Sequence, residues 1–245
     1  MVENADIILF IVAAIGSGIS ALTGLGGGSI VLALLLMFYP PIEALALHSF
    51  TQLTSNFLRG FLSFKDIAWP IVGRYALLLI PGAYLAGKLM GLFEPAYLQI
   101  LIGVMIIVSI YLPLPSHWQK LPRNIFIPLG FVSGFLGMMV GAVGPFVAPF
   151  FQRLGLSRQA QLGTKSAAQM GLQLSRIIAF GGVSSLSFGA IQNQIVLLVV
   201  AVVVGVGLSI PLSQKLSDKW FDRVVNGVLT LIALKTIYAG AMTLI

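Results

Sequence analysis

The 245-residue chain is 58% hydrophobic and 9% charged, with a formal net charge of +7, whereas soluble domains carry charge on about a quarter of their residues. That composition excludes a soluble globular domain and a disordered chain, and it places the chain in a lipid bilayer. There is no cysteine, which removes disulfides, thiolate metal sites and cysteine nucleophiles. The start, Met1-Val2-Glu3-Asn4, lacks the basic region of a secretory signal, so the first apolar stretch is expected to stay in the protein.

In chain order, apolar segments are expected at about 7–23, 29–39, 42–64, 69–90, 96–112, 125–140, 145–152, 157–180, 190–213 and 221–243. A helix needs about 20 residues to span a bilayer, so the segments at 29–39 and 145–152 are too short to cross alone. Each directly follows a glycine break, TGLGGGS at residues 23–29 and GAVGP at residues 141–145. A constant shift of 117 residues places Gly24 on Gly141, Gly27 on Gly144, Ser49 on Ser166, Gln52 on Gln169 and Arg59 on Arg176. The chain therefore reads as two transmembrane repeats, 1–116 and 117–245.

The distribution of basic residues decides how the repeats are oriented. If each break is the tip of a re-entrant hairpin, Arg59, Lys65, Arg74, Lys120, Arg123, Arg153, Arg158, Lys215, Lys219 and Arg223 all share one side, with Lys88 opposite and Lys235 assigned to neither side. If the segments around each break cross together as one broken helix, the same residues split between the two sides. The first arrangement satisfies the positive-inside rule. It predicts an all-α polytopic membrane protein with an inverted internal repeat. About eight transmembrane helical segments are expected, six of them full spans and two of them glycine-broken re-entrant helices, in a plasma (inner) membrane with both termini outside the cytoplasm.

A glycine cluster after an apolar run suggests a nucleotide-binding turn, but Gly24, Gly26 and Ser29 miss the third glycine of the dinucleotide fingerprint, and no P-loop lysine follows. Close helix packing suits Gly82, Ala86, Gly87, Gly205 and Gly207 inside long spans. It fits three adjacent glycines poorly, because they cannot share one helix face. Irregular backbone at membrane depth is tolerated where protein buries it or where it lines a wet cavity. Half-helix N-termini at such breaks offer N–H groups and positive dipole ends to anions. Gly24, Gly26, Gly27, Gly28 and Ser29 are thus expected to face Gly141, Gly144 and Pro145 across one anion.

The helix after each break carries polar residues at three- and four-residue steps: His48, Thr51, Gln52, Ser55, Asn56 and Arg59 in the first half, Lys165, Gln169, Gln173 and Arg176 in the second. At a rise of about 1.5 Å per residue, Gln52 and Gln169 fall near mid-helix. Arg59 and Lys165 then lie toward the cytoplasm, and His48 and Arg176 toward the outside. A charge inside a membrane costs at least about 2.5 kcal/mol unless compensated. No Asp or Glu falls inside a span, so the path is polar and cationic, and its cargo is expected to be an anion.

The breaks GLGGGS and GAVGP, each followed by a short apolar helix and then a polar-faced one, resemble the TauE/SafE family of membrane permeases over essentially the whole chain. The resemblance implies secondary transport of sulfur-containing anions such as sulfite, sulfoacetate or thiosulfate. Of the family's motif it carries over Gly24, Gly26, Gly27, Gly28, Gly141, Gly144 and Pro145.

The expected function is therefore a secondary transporter of small anions, working by alternating access and in the direction of export. An anion-selective channel and a carrier of small organic carboxylates are the alternatives. No enzymatic activity, cofactor, metal or nucleic acid is expected; the partners are the small anionic substrate and the lipid bilayer, and the oligomeric state is left open. A hydrolase would need a nucleophile and base, and no motif frames Ser17, Ser20 or Ser29 with His48. The topology predicts that a cysteine introduced at position 119 is shielded from an impermeant thiol reagent outside intact cells, while one at position 3 reacts. External labelling of position 119 would refute it.

Overall fold

The computed structural model describes residues 2–23, 27–111, 121–141, 143–183, 186–209 and 218–244, and among them every regular element is helical. The helices are α1 (Val2–Thr23), α2 (Gly27–Phe38), α3 (Pro41–Leu62), α4 (Trp69–Ala76), α5 (Leu79–Met90), α6 (Pro95–Tyr111), α7 (Phe126–Val140), α8 (Gly144–Gln152), α9 (Arg158–Val183), α10 (Gln192–Ser209) and α11 (Asp218–Met242). Among the described residues, three stretches are long and apolar enough to cross a bilayer, 69–90, 123–140 and 188–209. The helices α3 and α9 fall outside that set because of their polar stripes, which lower their mean hydropathy without shortening them.

Local chemistry sets most boundaries. Pro41 opens α3 at a position where its missing N–H costs nothing. The apolar stretch at 69–90, expected as one helix, is interrupted at Leu77–Leu78. Pro81 explains this, since it has no N–H to give the Leu77 carbonyl and its ring crowds that oxygen. Gly141 ends α7 with φ +80, its N–H donating to the Gly137 carbonyl at 3.0 Å. That left-handed conformation is open to glycine at little cost, which accounts for the residue at the second break.

Burial departs from that of a soluble protein, because polar side chains share the interior with the apolar core while many large apolar side chains face outward. His48, Ser49, Thr51, Gln52, Ser55, Asn56, Ser166, Gln169, Gln173 and Arg176 are buried, while Ile15, Leu77, Val196 and Leu231 are among the exposed residues, the last at 69%. Large apolar side chains on the outside and polar ones within fit a hydrocarbon solvent, where a polar group gains nothing by facing outward. The chain is a membrane-embedded helical protein.

The helices pair closely: α1 with α10, α4 and α5 with α7, α3 with α9, and α6 with α11. Side-chain contacts give their directions. Leu45, near the start of α3, meets Arg176 near the end of α9, and Gly60 and Ser63 meet Ala167 and Gly163 near its start, so α3 and α9 are antiparallel. The same holds for α6 and α11, where Gly103 lies against Ala233 and Ile237, Gly240 against Ala96, and the Tyr111 and Thr230 hydroxyls are 2.9 Å apart. By contrast α7 runs parallel to α4 and α5, with Gly130 against the Tyr75 carbonyl and Gly134 against that of Leu79. Likewise α1 and α10 are parallel, with Gly205 on the Ala14 carbonyl and Gly18 beside Ser209.

These glycines let backbones touch, the usual small-residue solution in a bilayer. A methyl added at Gly205 or Gly134 would overlap a neighbouring carbonyl, whereas one at Gly91 would meet nothing within 4 Å. Overpacking of that kind costs about 1–3 kcal/mol or more. Gly205→Val and Gly134→Val are therefore expected to lower the thermal unfolding midpoint of the detergent-solubilised protein, and Gly91→Ala to leave it in place. Equal midpoints for all three would contradict the close approach.

Candidate functional site

The polar stripes of α3 and α9 meet the two glycine breaks in the interior. At the first break, the Nε2 of His48 donates to the carbonyl of Gly28 at 2.9 Å. The amide of Gln52 lies flat over the same residue: a methyl on Gly28 would come 2.7 Å from Oε1 and 2.9 Å from Nε2. Gly28 therefore admits the close approach of α3 to the beginning of α2. Ser29 is buried in the first turn of α2.

At the second break, Gly141 lies against Leu32 of α2, Leu45 of α3 and the guanidinium of Arg176, whose Nη2 would be 3.4 Å from an added methyl. Arg176 is fully buried, at 0% exposure. Its Nη1 donates to Gln173 Oε1 at 2.8 Å and its Nη2 to the Leu45 carbonyl at 3.0 Å. The ring of Phe180, one turn further along α9, lies 6.0 Å from the guanidinium, within the range of a cation–π contact.

Arg59 repeats the local motif with a different outcome. Its Nη2 donates to Asn56 Oδ1 at 2.7 Å, three residues before it as Gln173 is before Arg176, while Nη1 donates to the Ser20 carbonyl of α1 at 3.0 Å and Nε to the Ser55 carbonyl at 3.3 Å. All three nitrogens are thus engaged, and Arg59 ties α3 to the end of α1. Asn56 is fully used as well, since its Nδ2 donates to the Gln52 carbonyl at 2.8 Å. Lys165 of α9 lies within electrostatic reach of Arg59.

Several buried nitrogens remain without a hydrogen-bond partner among the described residues: Gln52 Nε2, Gln169 Nε2, Arg176 Nε and His48 Nδ1. The first three are donors. Leaving a buried donor unpaired costs about 1–3 kcal/mol, and three such donors lie on the two facing helices α3 and α9. The electrostatics agree: Arg59 lies within α3 and Lys165 and Arg176 within α9, and the one acid on these two helices is Glu43 in the first turn of α3.

The structure thus brings together Gly28, His48, Gln52, Gly141, Gln173 and Arg176 on one side, and Asn56, Arg59 and Lys165 on the other. Gln169 contributes an unpaired buried amide from the middle of α9. Thr51 is buried, but its hydroxyl donates to the His48 carbonyl at 2.8 Å within its own helix. Gly27 and Gly144 are the first residues of α2 and α8. A methyl at Gly144 would meet nothing within 4 Å, so that glycine admits no close protein approach of the kind seen at Gly28. Pro145 follows it at the helix start, and proline supplies no N–H there. Gly24 and Gly26 lie outside the described residues.

Two acceptors, the carbonyls of Ser20 and Leu45, were not singled out by the sequence, and no side-chain pattern points to a main-chain oxygen. Ser55, placed on the α3 stripe by its spacing, is buried there.

An open groove of about 680 Å³ lies at the end of the bundle where α3 begins, lined by residues that include Pro40, Glu43, Met90, Phe93, Ser187 and Ile191. His48 and Arg176 are the polar groups of the two stripes nearest that end.

The family described as sulfite exporter TauE/SafE matches residues 8–236. Comparison with curated proteins and with solved structures gave no match. The family match runs through both glycine breaks and both polar helices, and over that length the chain belongs to the TauE/SafE sulfite exporter family of membrane transporters.

Proposed function

We propose that this protein is a secondary permease for small oxyanions, with sulfur-containing anions such as sulfite, sulfoacetate and thiosulfate as its substrate class. The observation that carries the reading is the set of buried, unpaired donors on α3 and α9, Gln52 Nε2, Gln169 Nε2 and Arg176 Nε, in helices that hold Arg59, Lys165 and Arg176 and whose one carboxylate, Glu43, lies in the first turn of α3. An oxyanion supplies the missing acceptors and the missing charge together.

We place this site between two inverted repeats, 1–116 and 117–245. Helix starts support the duplication: Gly27 and Gly144 open α2 and α8, and Pro41 and Arg158 open α3 and α9, each pair 117 residues apart. The pairing pattern supports it too. The shift maps α1 onto α7 and α4 with α5 onto α10, so the α1–α10 pair becomes the α7–α5 pair, while α3–α9 and α6–α11 map onto themselves. Corresponding helices that run antiparallel favour inversion, since parallel repeats would make α3 and α9 run the same way. The reading keeps α1 with α2 and α7 with α8 as re-entrant hairpins, both termini outside the cytoplasm, and the groove beside Pro40 and Phe93 as the outward mouth. Rocking of one repeat against the other would then alternate access.

A cell that is negative inside drives anion export by about 2.3 kcal/mol per charge per 100 mV, so export requires no buried carboxylate. In proteoliposomes with an imposed potential, labelled sulfite is expected to move saturably toward the positive side, with sulfoacetate and thiosulfate competing. Gln169→Leu, which removes one neutral donor, is expected to raise KM by up to about tenfold, and Gly28→Ala to slow flux by displacing the Gln52 amide. Single-channel current without saturation would favour the anion channel instead. Competition by small carboxylates but not by sulfur anions would move the substrate class.

A further inference from the structure

We propose that His48 holds, at Nδ1, a proton that accompanies the anion through the site, an inference that rests on the permease reading above. Its Nε2 lies 2.9 Å from the Gly28 carbonyl, and a carbonyl can only accept. The proton on that ring nitrogen is therefore fixed, and in the neutral imidazole Nδ1 is left with a lone pair. The ring is only 2% exposed, and Nδ1 has no partner among the described residues.

The other unpaired buried nitrogens, Gln52 Nε2, Gln169 Nε2 and Arg176 Nε, are all donors. His48 Nδ1 is the one nitrogen in that set that takes a proton. Once protonated it becomes a further donor, matched to an oxyanion in the same site. Of the charged and titratable side chains on the helices packed against α3, Arg176 of α9 is the one that acts on this ring. The helices α2 and α10 carry none, Glu3 and Asp6 lie in the first two turns of α1, and Lys165 sits with Arg59 toward the other end. The tyrosines of α6, Tyr97 and Tyr111, are exposed.

A proton on Nδ1 puts a second cation beside the Arg176 guanidinium. An anion in the site balances that pair and an empty site does not, so anion and proton bind together. The proton comes from water on the side where the anion is bound and returns to water on the side where the anion is released. A divalent anion then moves with one net negative charge, so the membrane potential still drives it.

The test uses full-length protein in proteoliposomes at a fixed potential, with a pH gradient of either sign and labelled thiosulfate as the probe, because its ionisation does not change around neutral pH. One proton per anion changes the steady-state accumulation ratio about tenfold for each pH unit imposed, toward the more alkaline side. Wild-type flux that responds to potential but not to the pH gradient would overturn the proton site and leave the permease reading standing. Absence of flux for thiosulfate and for sulfite would remove both. His48→Gln keeps an amide donor for the Gly28 carbonyl and has no titratable nitrogen. Its flux is expected to be reduced, with the dependence of the ratio on the pH gradient abolished; a retained tenfold response in that variant would also overturn the proposal.

Discussion

A fully buried guanidinium, Arg176, lies between α3 and α9, and much of the surrounding interior can be understood as what is needed to keep it there. An uncompensated buried ion costs several kcal/mol even after relaxation. The chain offers it the Gln173 side chain, the Leu45 carbonyl and the face of Phe180. None of these carries negative charge. Partial compensation of this kind leaves an ion that is held in place and still short of a counter-charge, which is how a site is made receptive to an anion.

That ion constrains the scaffold around it. The Leu45 carbonyl reaches Arg176 because α3 and α9 lie alongside each other in opposite directions. On the far side of each helix the packing is carried by backbone contact through glycine: Gly130 and Gly134 seat α7 on α4 and α5, and Gly18 and Gly205 seat α1 on α10. In a bilayer, where apolar burial contributes little to helix association, such contacts supply the van der Waals packing. The polar interior is therefore held by an apolar shell whose cohesion does not depend on what occupies the site.

Much of this was legible in the sequence because it was written in side chains with a period. The stripe from His48 to Arg59 and the one from Lys165 to Arg176 follow the helical repeat, and their burial follows from the cost of facing lipid. The short helices after each break were legible because glycine and proline constrain backbone directly. The interruption at Leu77–Leu78 was missed although its cause, Pro81, was in plain view, since proline is tolerated in many membrane helices and its local effect depends on what re-satisfies the freed carbonyl. Which arginine has a free donor was beyond reach, because the acceptors that decide it are the main-chain oxygens of Ser20 and Leu45. A carbonyl is present at every residue and leaves no mark on composition or spacing.

Those acceptors also separate two residues that the sequence presents as equivalents. Asn56 and Arg59 form the same three-residue amide–guanidinium contact as Gln173 and Arg176, yet Arg59 spends its remaining nitrogens on Ser20 and Ser55 whereas Arg176 keeps Nε unpaired. The helix starts differ in the same sense. Gly28 and Ser29 follow Gly27 in α2, while Pro145 removes an N–H from the corresponding turn of α8. One end of the polar path is thus tied down by its arginine and the other is left with capacity to bind. In the inverted-repeat carrier proposed above, such an inequality would give the two ends of the site different affinities for the same anion. Direction is left to the membrane potential, because an affinity difference changes the rates on each side and not the equilibrium between them.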